Sequence, residues 1–209
     1  MVDLRLALRG FFKTPVVSVV AIVTLALGVG ANAAIFSLFH QMLLRGLPVP
    51  QPTRLVNLAA PGPKPGSTHS SQTGDRDSVF SYPLFRDLER AQDVFTGIAA
   101  HRLFGANLTY RRQTAHGQGI FVSGSYFPVL GLQPALGRLL APDDDRTIGG
   151  RFVAVLSQAY WVTHLGASPA VLNQTLLVNG QPMTIVGVAP RGFLGTTLGS
   201  RPQVFVRSP

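Results

Sequence analysis

A long apolar segment near the N-terminus has a hydrophobic pattern unlike that of the rest of the chain. The segment runs from Pro15 to Phe39, PVVSVVAIVTLALGVGANAAIFSLF, and its 25 residues include no charged side chain. As an α-helix it would be about 37 Å long, enough to cross a hydrocarbon core of about 30 Å with some tilt. Apolar residues occupy every face of that helix, so the pattern predicts a transmembrane helix rather than an amphipathic surface helix.

A second motif overlaps this segment and suggests a nicotinamide enzyme. Gly28, Gly30 and Ala33 form the pattern G-x-G-x-x-A of a dinucleotide-binding turn. Such a turn needs an acidic residue about 20 positions later to bind the ribose hydroxyl. No acidic residue occurs between Asp3 and Asp75, which argues against this interpretation.

A third interpretation is a cleaved signal peptide, because residues 31–33, Ala-Asn-Ala, have the A-x-A form of a cleavage site. Arg5, Arg9 and Lys13 would supply its basic region. The apolar region of a signal peptide is usually about 7–15 residues long, whereas this one continues to Phe39. A retained span is therefore favoured. The alternative is a secreted soluble binding or structural domain with a cleaved signal peptide.

Small residues recur along one face of the predicted span. Ala26, Gly30 and Ala34 are spaced at i, i+4 and i+8, a pattern on which a second helix packs closely. Chance in an alanine- and glycine-rich segment explains the stripe equally well. Residues 1–13 predict a short amphipathic helix at the membrane surface, and their basic residues favour a cytoplasmic N-terminus.

The remaining residues alternate between strand and helix patterns and predict a mixed α/β domain. Strands are predicted at 54–60, 96–112 and 117–124, and a loop at 61–78. Helices are predicted at 81–95, capped by Ser81, and in the short YFPVLG turn, capped by Ser125 and ended by Gly131. Residues 151–166 predict a strand joined to a helix that Ser157 caps and Gly166 ends. Ser168-Pro169 predicts a further helical turn, and Asn179-Gly180 a type I′ hairpin turn within 174–188.

Charge and composition exclude some function classes. The 209 residues have a net charge of +9, but their arginines are scattered singly, apart from Arg111-Arg112. No basic helix face and no RNA-binding signature occurs, so we expect no nucleic-acid partner and at most weak attraction to anionic lipids. The chain has no cysteine, which excludes disulfides and thiolate chemistry.

The sequence shows no candidate active site, and we expect neither catalysis nor a metal or cofactor. Its histidines lack metal-ligand spacing; they are His40, His69, His101, His116 and His164. Residues 143–145, three consecutive aspartates, are expected to form a solvated acidic loop rather than a calcium site. Tyr160 and Trp161 are expected in the core. No P-loop pattern is present, so ATP hydrolysis would need another chain.

Several stretches together carry a family resemblance. Residues 3–56, DLRLALRGFFK through PVPQPTRLV, resemble the N-terminus of MacB-like ABC transporter permeases, especially the orphan permeases of acidobacterial type. Four further stretches are similar, in the same order, to motifs of that family's periplasmic core domain. They are VFSYPLFRDLERAQDVFTGIAA, VSGSYFPVLGLQPALGRLLAPDDD, VAVLSQAYWVTHLG and QTLLVNGQPMTIVGVAPRGFLGTTLG.

The resemblance implies an α+β architecture with one N-terminal transmembrane helix followed by a mixed α/β periplasmic core domain. Residues 1–13 would be cytoplasmic, 14–40 would span the bacterial inner membrane, and 41–209 would form the periplasmic domain. It implies an ABC ATPase partner, a homodimer or related permease half, and a periplasmic adaptor protein. Family members have three more spans after this domain, so the sequence is expected to be a truncated permease or a fragment.

Overall fold

The computed structural model describes residues 15–40, 47–59, 80–145, 152–197 and 199–208. The chain divides into two compact units, Met1–Gly46 and Leu47–Pro209. The predicted amphipathic segment 1–13 and the predicted loop 61–78 lie outside the described residues.

Among its described residues, the first unit contains one long helix, α1, which spans Pro15–Phe39. Proline suits its first position, because the amide hydrogen that proline lacks would have no helical partner there. The described side chains are exposed along nearly the whole helix. The stretch Pro15–Ser37 is long and apolar enough to cross a membrane, by length and composition. The predicted helix is therefore confirmed.

The second unit is built around one seven-stranded sheet. The strands are β1 (His101–Tyr110), β2 (Gln113–Val122), β3 (Leu136–Gly137), β4 (Val153–Leu156), β5 (Thr175–Val178), β6 (Gln181–Val188) and β7 (Pro202–Arg207). Their order is β3-β6-β4-β7-β2-β1-β5. The pairings are mixed: β7 runs parallel to β2 and antiparallel to β4, and β4 runs parallel to β6.

The strand pairings close into a ring. β5 pairs with β6 over four residue pairs and also with β1, where Leu108 faces Val178 and Thr109 faces Leu177. The circuit β6-β4-β7-β2-β1-β5 therefore returns to β6. Closure of a sheet leaves fewer free edges for pairing with another chain.

Two hydrophobic clusters lie on opposite faces of this sheet. Along β4, Val153 and Val155 belong to one cluster, whereas Ala154 and Leu156 belong to the other. β7 divides in the same way, with Phe205 between two valines that face the opposite cluster. Since side chains alternate along a strand, β4 and β7 are buried on both faces and hold the two clusters together.

Three short helices lie in the described part of the domain: α2 (Tyr82–Ala91), α3 (Tyr126–Leu130) and α4 (Gln158–Leu165). The side chain of Ser81 accepts a hydrogen bond from the amide of Leu84, and that of Ser157 from the amide of Tyr160. Both predicted N-caps are therefore confirmed. Single-turn 3₁₀ helices lie at Pro52–Arg54, Pro142–Asp145 and Pro169–Val171.

Other local predictions need correction. Residues 55–59 join no sheet, so the strand predicted at 54–60 is wrong for them, and Arg54 ends the 3₁₀ turn that precedes them. Ser125 does not cap α3, because its hydroxyl donates to the carbonyl of Ile98. The helix predicted at 81–95 ends at Ala91, and residues 92–95 form a turn in which Gln92 Oε1 accepts from the amide of Phe95 at 2.8 Å.

Candidate functional site

The predicted helix-packing residues lie on one exposed face of α1. Ala26, Gly30 and Ala34 are all exposed, and a Cβ added at Gly30 would meet nothing within 4 Å. A backbone open to close approach is what packing against a second helix requires. The assignment of these residues to helix packing remains a prediction.

Two polar side chains within α1 are bonded to the helix itself. Thr24 Oγ1 donates to the carbonyl of Val20 at 2.8 Å, and Asn32 Nδ2 donates to the carbonyl of Gly28 at 3.0 Å. Polar groups in hydrocarbon must find such internal partners, because water is absent there. Thr24 and Asn32 are thus compatible with a lipid environment.

Two of the three consecutive aspartates are structural rather than solvated, which corrects the expected acidic loop. Asp144 forms a bidentate ion pair with Arg138, with Nη1–Oδ2 and Nη2–Oδ1 distances of 2.7 and 2.8 Å, and accepts from the amide of Ala141 at 2.9 Å. Burial alone would raise the pKa of Asp144. The hydrogen bonds from Arg138 and Ala141 outweigh that effect and hold the pKa below its usual value.

Asp145 lines a small polar cavity between α2 and the acidic turn. The cavity has a volume of about 230 Å³ and is also lined by Arg86, Glu89, Ser125 and Pro142. Asp145 Oδ2 accepts from the amide of Gly124, whereas its buried Oδ1 has no hydrogen-bond partner in the described part of the chain. Burial raises the pKa of Asp145 above its ordinary value.

The basic residue that lines this cavity, Arg86, already forms an ion pair within α2. Arg86 Nη1 lies 2.6 Å from Glu89 Oε2, one helical turn away. Arg86 and Glu89 therefore satisfy each other within α2, while Asp145 is bonded to the amide of Gly124. It supplies neither a nucleophile with a base nor a set of metal ligands.

A second polar cluster surrounds His101. Its Nε2 lies 3.1 Å from Thr197 Oγ1, and the neighbouring Thr196 Oγ1 lies 3.1 Å from the hydroxyl of Tyr126. Desolvation lowers the pKa of His101 and raises that of Tyr126 to about 12. Both groups are therefore neutral at pH 7, and the hydrogen bonds among them hold the loop before β7 against α3.

The other described histidines of the second unit, His116 and His164, lie apart from this cluster. His116 Nδ1 is 2.6 Å from Asn107 Oδ1 on the neighbouring strand, and the ring of His164 stacks on Tyr160 at 4.6 Å. His69 lies outside the described residues. Among the residues that the structure describes, no three His, Cys, Asp or Glu side chains are grouped to hold a metal ion.

A shallow cleft lies between the β1–β2 hairpin and α4. It has a volume of about 260 Å³ and is lined by Tyr110, Gln113, Thr114, Ala115, Tyr160, His164 and Leu165. Tyr160 is buried in the hydrophobic cluster that also contains Ala154 and Leu156, and Trp161 packs against that cluster. The Nε1 of Trp161 donates to the carbonyl of Ser168 at 2.9 Å. The expected core role of these two aromatic residues agrees with these contacts. Sequence reasoning missed the cleft, because its residues come from segments about fifty positions apart.

The family model described as the MacB-like periplasmic core domain matches residues 18–208. The match begins inside α1 and ends after β7, so it includes nearly all of the described chain. No significant match is found among curated proteins.

Three solved structures match part of the chain. The extracellular domain of the noncanonic ABC-type transporter YknZ from Gram-positive bacteria is 18% identical, with a TM-score of 0.49 over 61% of this chain and 62% of that one. The periplasmic region of MacB from Actinobacillus actinomycetemcomitans is 22% identical, with a TM-score of 0.45 over 56% and 59%. A domain of a putative permease protein from Porphyromonas gingivalis is 14% identical, with a TM-score of 0.39 over 53% and 49%. The chain thus spans less than two thirds of each.

Proposed function

The chain belongs to the family of MacB-like periplasmic core domains of ABC-type transporter permeases, and from this we propose that it acts as a membrane permease subunit, or an N-terminal piece of one. In that role it would couple the motion of an ABC ATPase to export or to mechanical transmission outside the membrane. The observation that supports this proposal is the continuous family match over residues 18–208, which includes both the apolar helix and the folded domain.

The division of labour follows from the chemistry of the chain. The family consists of permease domains, which are not themselves enzymes, and the sequence has no P-loop. ATP hydrolysis therefore belongs to a partner subunit. The closed strand circuit favours a domain that moves as a body, because deforming it would break hydrogen bonds between strands.

We propose the membrane topology that was expected from the sequence. Residues 1–13 would be cytoplasmic, 14–40 would cross the inner membrane, and 41–209 would lie in the periplasm. The lipid bilayer would surround α1 except along Ala26, Gly30 and Ala34, where a second copy or a related permease half would pack. An adaptor protein would contact the periplasmic domain.

Membrane anchoring is tested by alkaline carbonate extraction of bacterial membranes that contain the full chain, combined with intact-mass measurement. We expect the uncleaved chain in the pellet. Leu27→Arg should reduce retention, since a mid-span arginine costs about 2.5–3.5 kcal/mol of insertion free energy, whereas Phe39→Arg at the helix end should be tolerated. Release of a soluble form that begins at Ala34 would refute anchoring and indicate a secreted domain.

Coupling is tested in proteoliposomes that contain the chain and an ABC ATPase of the MacB type. We expect the chain to change the rate of ATP hydrolysis, and a P-loop lysine variant of the ATPase to abolish hydrolysis with or without the chain. An ATPase rate that is the same in liposomes with and without the chain would contradict a permease role while leaving the anchoring result intact.

A further inference from the structure

The turn between β1 and β2 is formed by two arginines in an unusual backbone conformation. Arg111 and Arg112 have φ values of 46° and 70°, and Tyr110 pairs with Gln113 across the turn. Such two-residue turns favour asparagine and glycine, as at Asn179-Gly180 in this same chain. Arginine in the left-handed region carries a conformational cost, and such costs concentrate at functional positions. We call residues 110–113 the hairpin tip.

The sequence on either side of the hairpin tip contains no acidic residue over a long stretch. No aspartate or glutamate occurs in residues 94–142 or 146–209. The guanidinium of Arg111 lies 5.3 Å from the centre of the Tyr110 ring, an aromatic rather than an anionic contact. The tip therefore presents positive charge at the surface of the domain.

The cleft described above begins at this tip. Tyr110 and Gln113 belong to both, and the cleft continues past Thr114 to His164 and Leu165. A positively charged rim beside a recess with apolar and hydrogen-bonding walls suits a segment that carries a carboxylate next to an apolar side chain. A flat lipid surface would leave the recess unfilled.

One segment of this chain has that chemistry. In the turn 92–95, Asp93 is exposed and Val94 is 81% exposed, the highest exposure among the large apolar residues that the structure describes in the second unit, and Phe95 is partly exposed. The bond from the amide of Phe95 to Gln92 Oε1 holds the turn in shape, so less conformational freedom is lost when it binds. The three acidic residues Asp87, Glu89 and Asp93 all lie on or next to α2.

We propose that the hairpin tip and cleft of one copy bind the turn 92–95 of a second copy, with Asp93 facing Arg111 and Arg112 and Val94 entering the cleft. In a two-fold dimer this contact forms twice, because each copy presents both surfaces. The inference rests on the proposed pairing of two permease copies and assigns that pairing a contact in the folded domain, separate from α1.

The absence of cysteine from the sequence permits a direct test by cross-linking. Two differently tagged copies of the full chain are reconstituted together in lipid nanodiscs, one with Gln113→Cys and one with Thr96→Cys, and treated with a short bismaleimide. We expect a cross-link between the two tags. The matched control Gln133→Cys, another exposed glutamine, should give about tenfold less product with the Thr96→Cys copy.

Charge reversal then tests the contact itself. Arg111→Glu and Arg112→Glu, both introduced into the copy that carries Gln113→Cys, should lower the cross-link yield about tenfold. The new glutamates would then face Asp93 of the other copy, which has the same charge. Adding Asp93→Arg to the other copy should restore it, which also shows that the reversed hairpin still folds. Equal yields at 113 and 133, no effect of reversal, or no rescue would each overturn the proposal.

A separate cross-link distinguishes this contact from the permease dimer as a whole. Copies with Ala34→Cys report pairing of α1 in the same nanodiscs. Pairing of α1 without the 113–96 cross-link would overturn the domain contact and keep the proposed dimer, whereas loss of both would overturn the dimer too. Dependence of the 113–96 cross-link on phosphatidylglycerol, with no response to charge reversal, would assign the arginines to lipid and overturn the proposal.

Discussion

Asn179 closes the strand circuit, and its replacement by glycine tests how much that closure contributes to stability. Its Oδ1 accepts from the amide of Asn107 at 2.8 Å, and its Nδ2 donates to the carbonyl of Gly105 at 3.0 Å. Its own amide donates to the carbonyl of Asn107 at 2.9 Å. The side-chain amide thus acts as one more peptide group and extends the pairing of β5 with β1 beyond Val178.

The expected loss follows from the bonds removed. Asn179→Gly keeps the left-handed backbone, whose φ is 49°, but removes both side-chain hydrogen bonds. At about 0.5–1.5 kcal/mol each, these bonds account for about 1–3 kcal/mol of unfolding free energy. The added freedom of glycine in the unfolded chain lowers stability by about another 0.5–1 kcal/mol.

A matched variant separates the two contributions. Asn173 also has a left-handed backbone, with φ of 62°, and its side chain makes no hydrogen bond in the described part of the chain. Asn173→Gly should therefore show the glycine contribution alone. The difference between the two variants measures closure of the ring.

Urea unfolding of the full chain in detergent, followed by circular dichroism, gives both free energies, and hydrogen exchange reports the amide of Asn107. We expect Asn179→Gly to be less stable than Asn173→Gly by about 1–3 kcal/mol, with faster exchange at Asn107. Equal free energies of unfolding, together with unchanged exchange at Asn107, would refute the view that this asparagine closes the sheet.

Three further predictions concern packing, charge and the membrane helix. Gly187→Ala should lower the unfolding free energy by about 1–3 kcal/mol, because the new Cβ would overlap the backbone of Arg138, just after β3. Gly105→Ala should leave the unfolding free energy unchanged, because nothing lies within 4 Å of the added Cβ. Equal urea midpoints for the two variants would contradict this prediction. Burial raises the pKa of the Asp145 carboxyl in the folded state. The parent chain therefore loses unfolding free energy as the pH rises from about 3.9, the ordinary carboxyl pKa, to the raised pKa. The urea midpoint of Asp145→Asn should exceed that of the parent by a margin that grows over this pH range and then levels off. Gly30→Leu should weaken α1 pairing in a membrane two-hybrid assay more than Gly28→Leu on the opposite face, and an equal effect would argue against the small-residue stripe.

Local chemistry explains which parts of the fold were predictable from sequence. Ser81 and Ser157 cap their helices, and Asn179-Gly180 forms its hairpin turn with both residues at positive φ. Each of these features depends on a few consecutive residues and on one backbone conformation. Gly131 and Gly166 end α3 and α4 in the left-handed conformation for the same reason.

Nonlocal pairing explains what sequence reasoning missed. β7 lies between β2 and β4, strands about 80 and 50 residues earlier, and only hydrogen bonds across the sheet specify that position. The β1–β2 turn was also missed, because arginines at Arg111 and Arg112 carry no turn signal of the asparagine–glycine kind. The first residues of β2 were missed with it, since their polar pattern resembles a loop.

The candidate sites show the same division between local and nonlocal information. The apolar helix depends only on composition and length, so sequence alone identified it. The segregation of acidic residues is also visible in the sequence, because none lies between Asp93 and Asp143. Folding adds that Asp145 lies beside Arg86 and Glu89 in one cavity, which concentrates the negative charge of the described domain near α2.

The charge distribution and the closed sheet together constrain how this domain would pair in a permease. Ring closure satisfies most strand edges internally, which leaves little backbone for pairing between sheets. A contact between copies must then depend on side chains. The complementary charges that the domain offers are the cations Arg111 and Arg112 and the anionic side chains near α2. Such a contact weakens as salt screens it, with a screening length of about 10 Å at 0.1 M. Pairing of α1 within lipid does not depend on charge, so raising the salt concentration should separate the domains of a dimer while its membrane helices remain together.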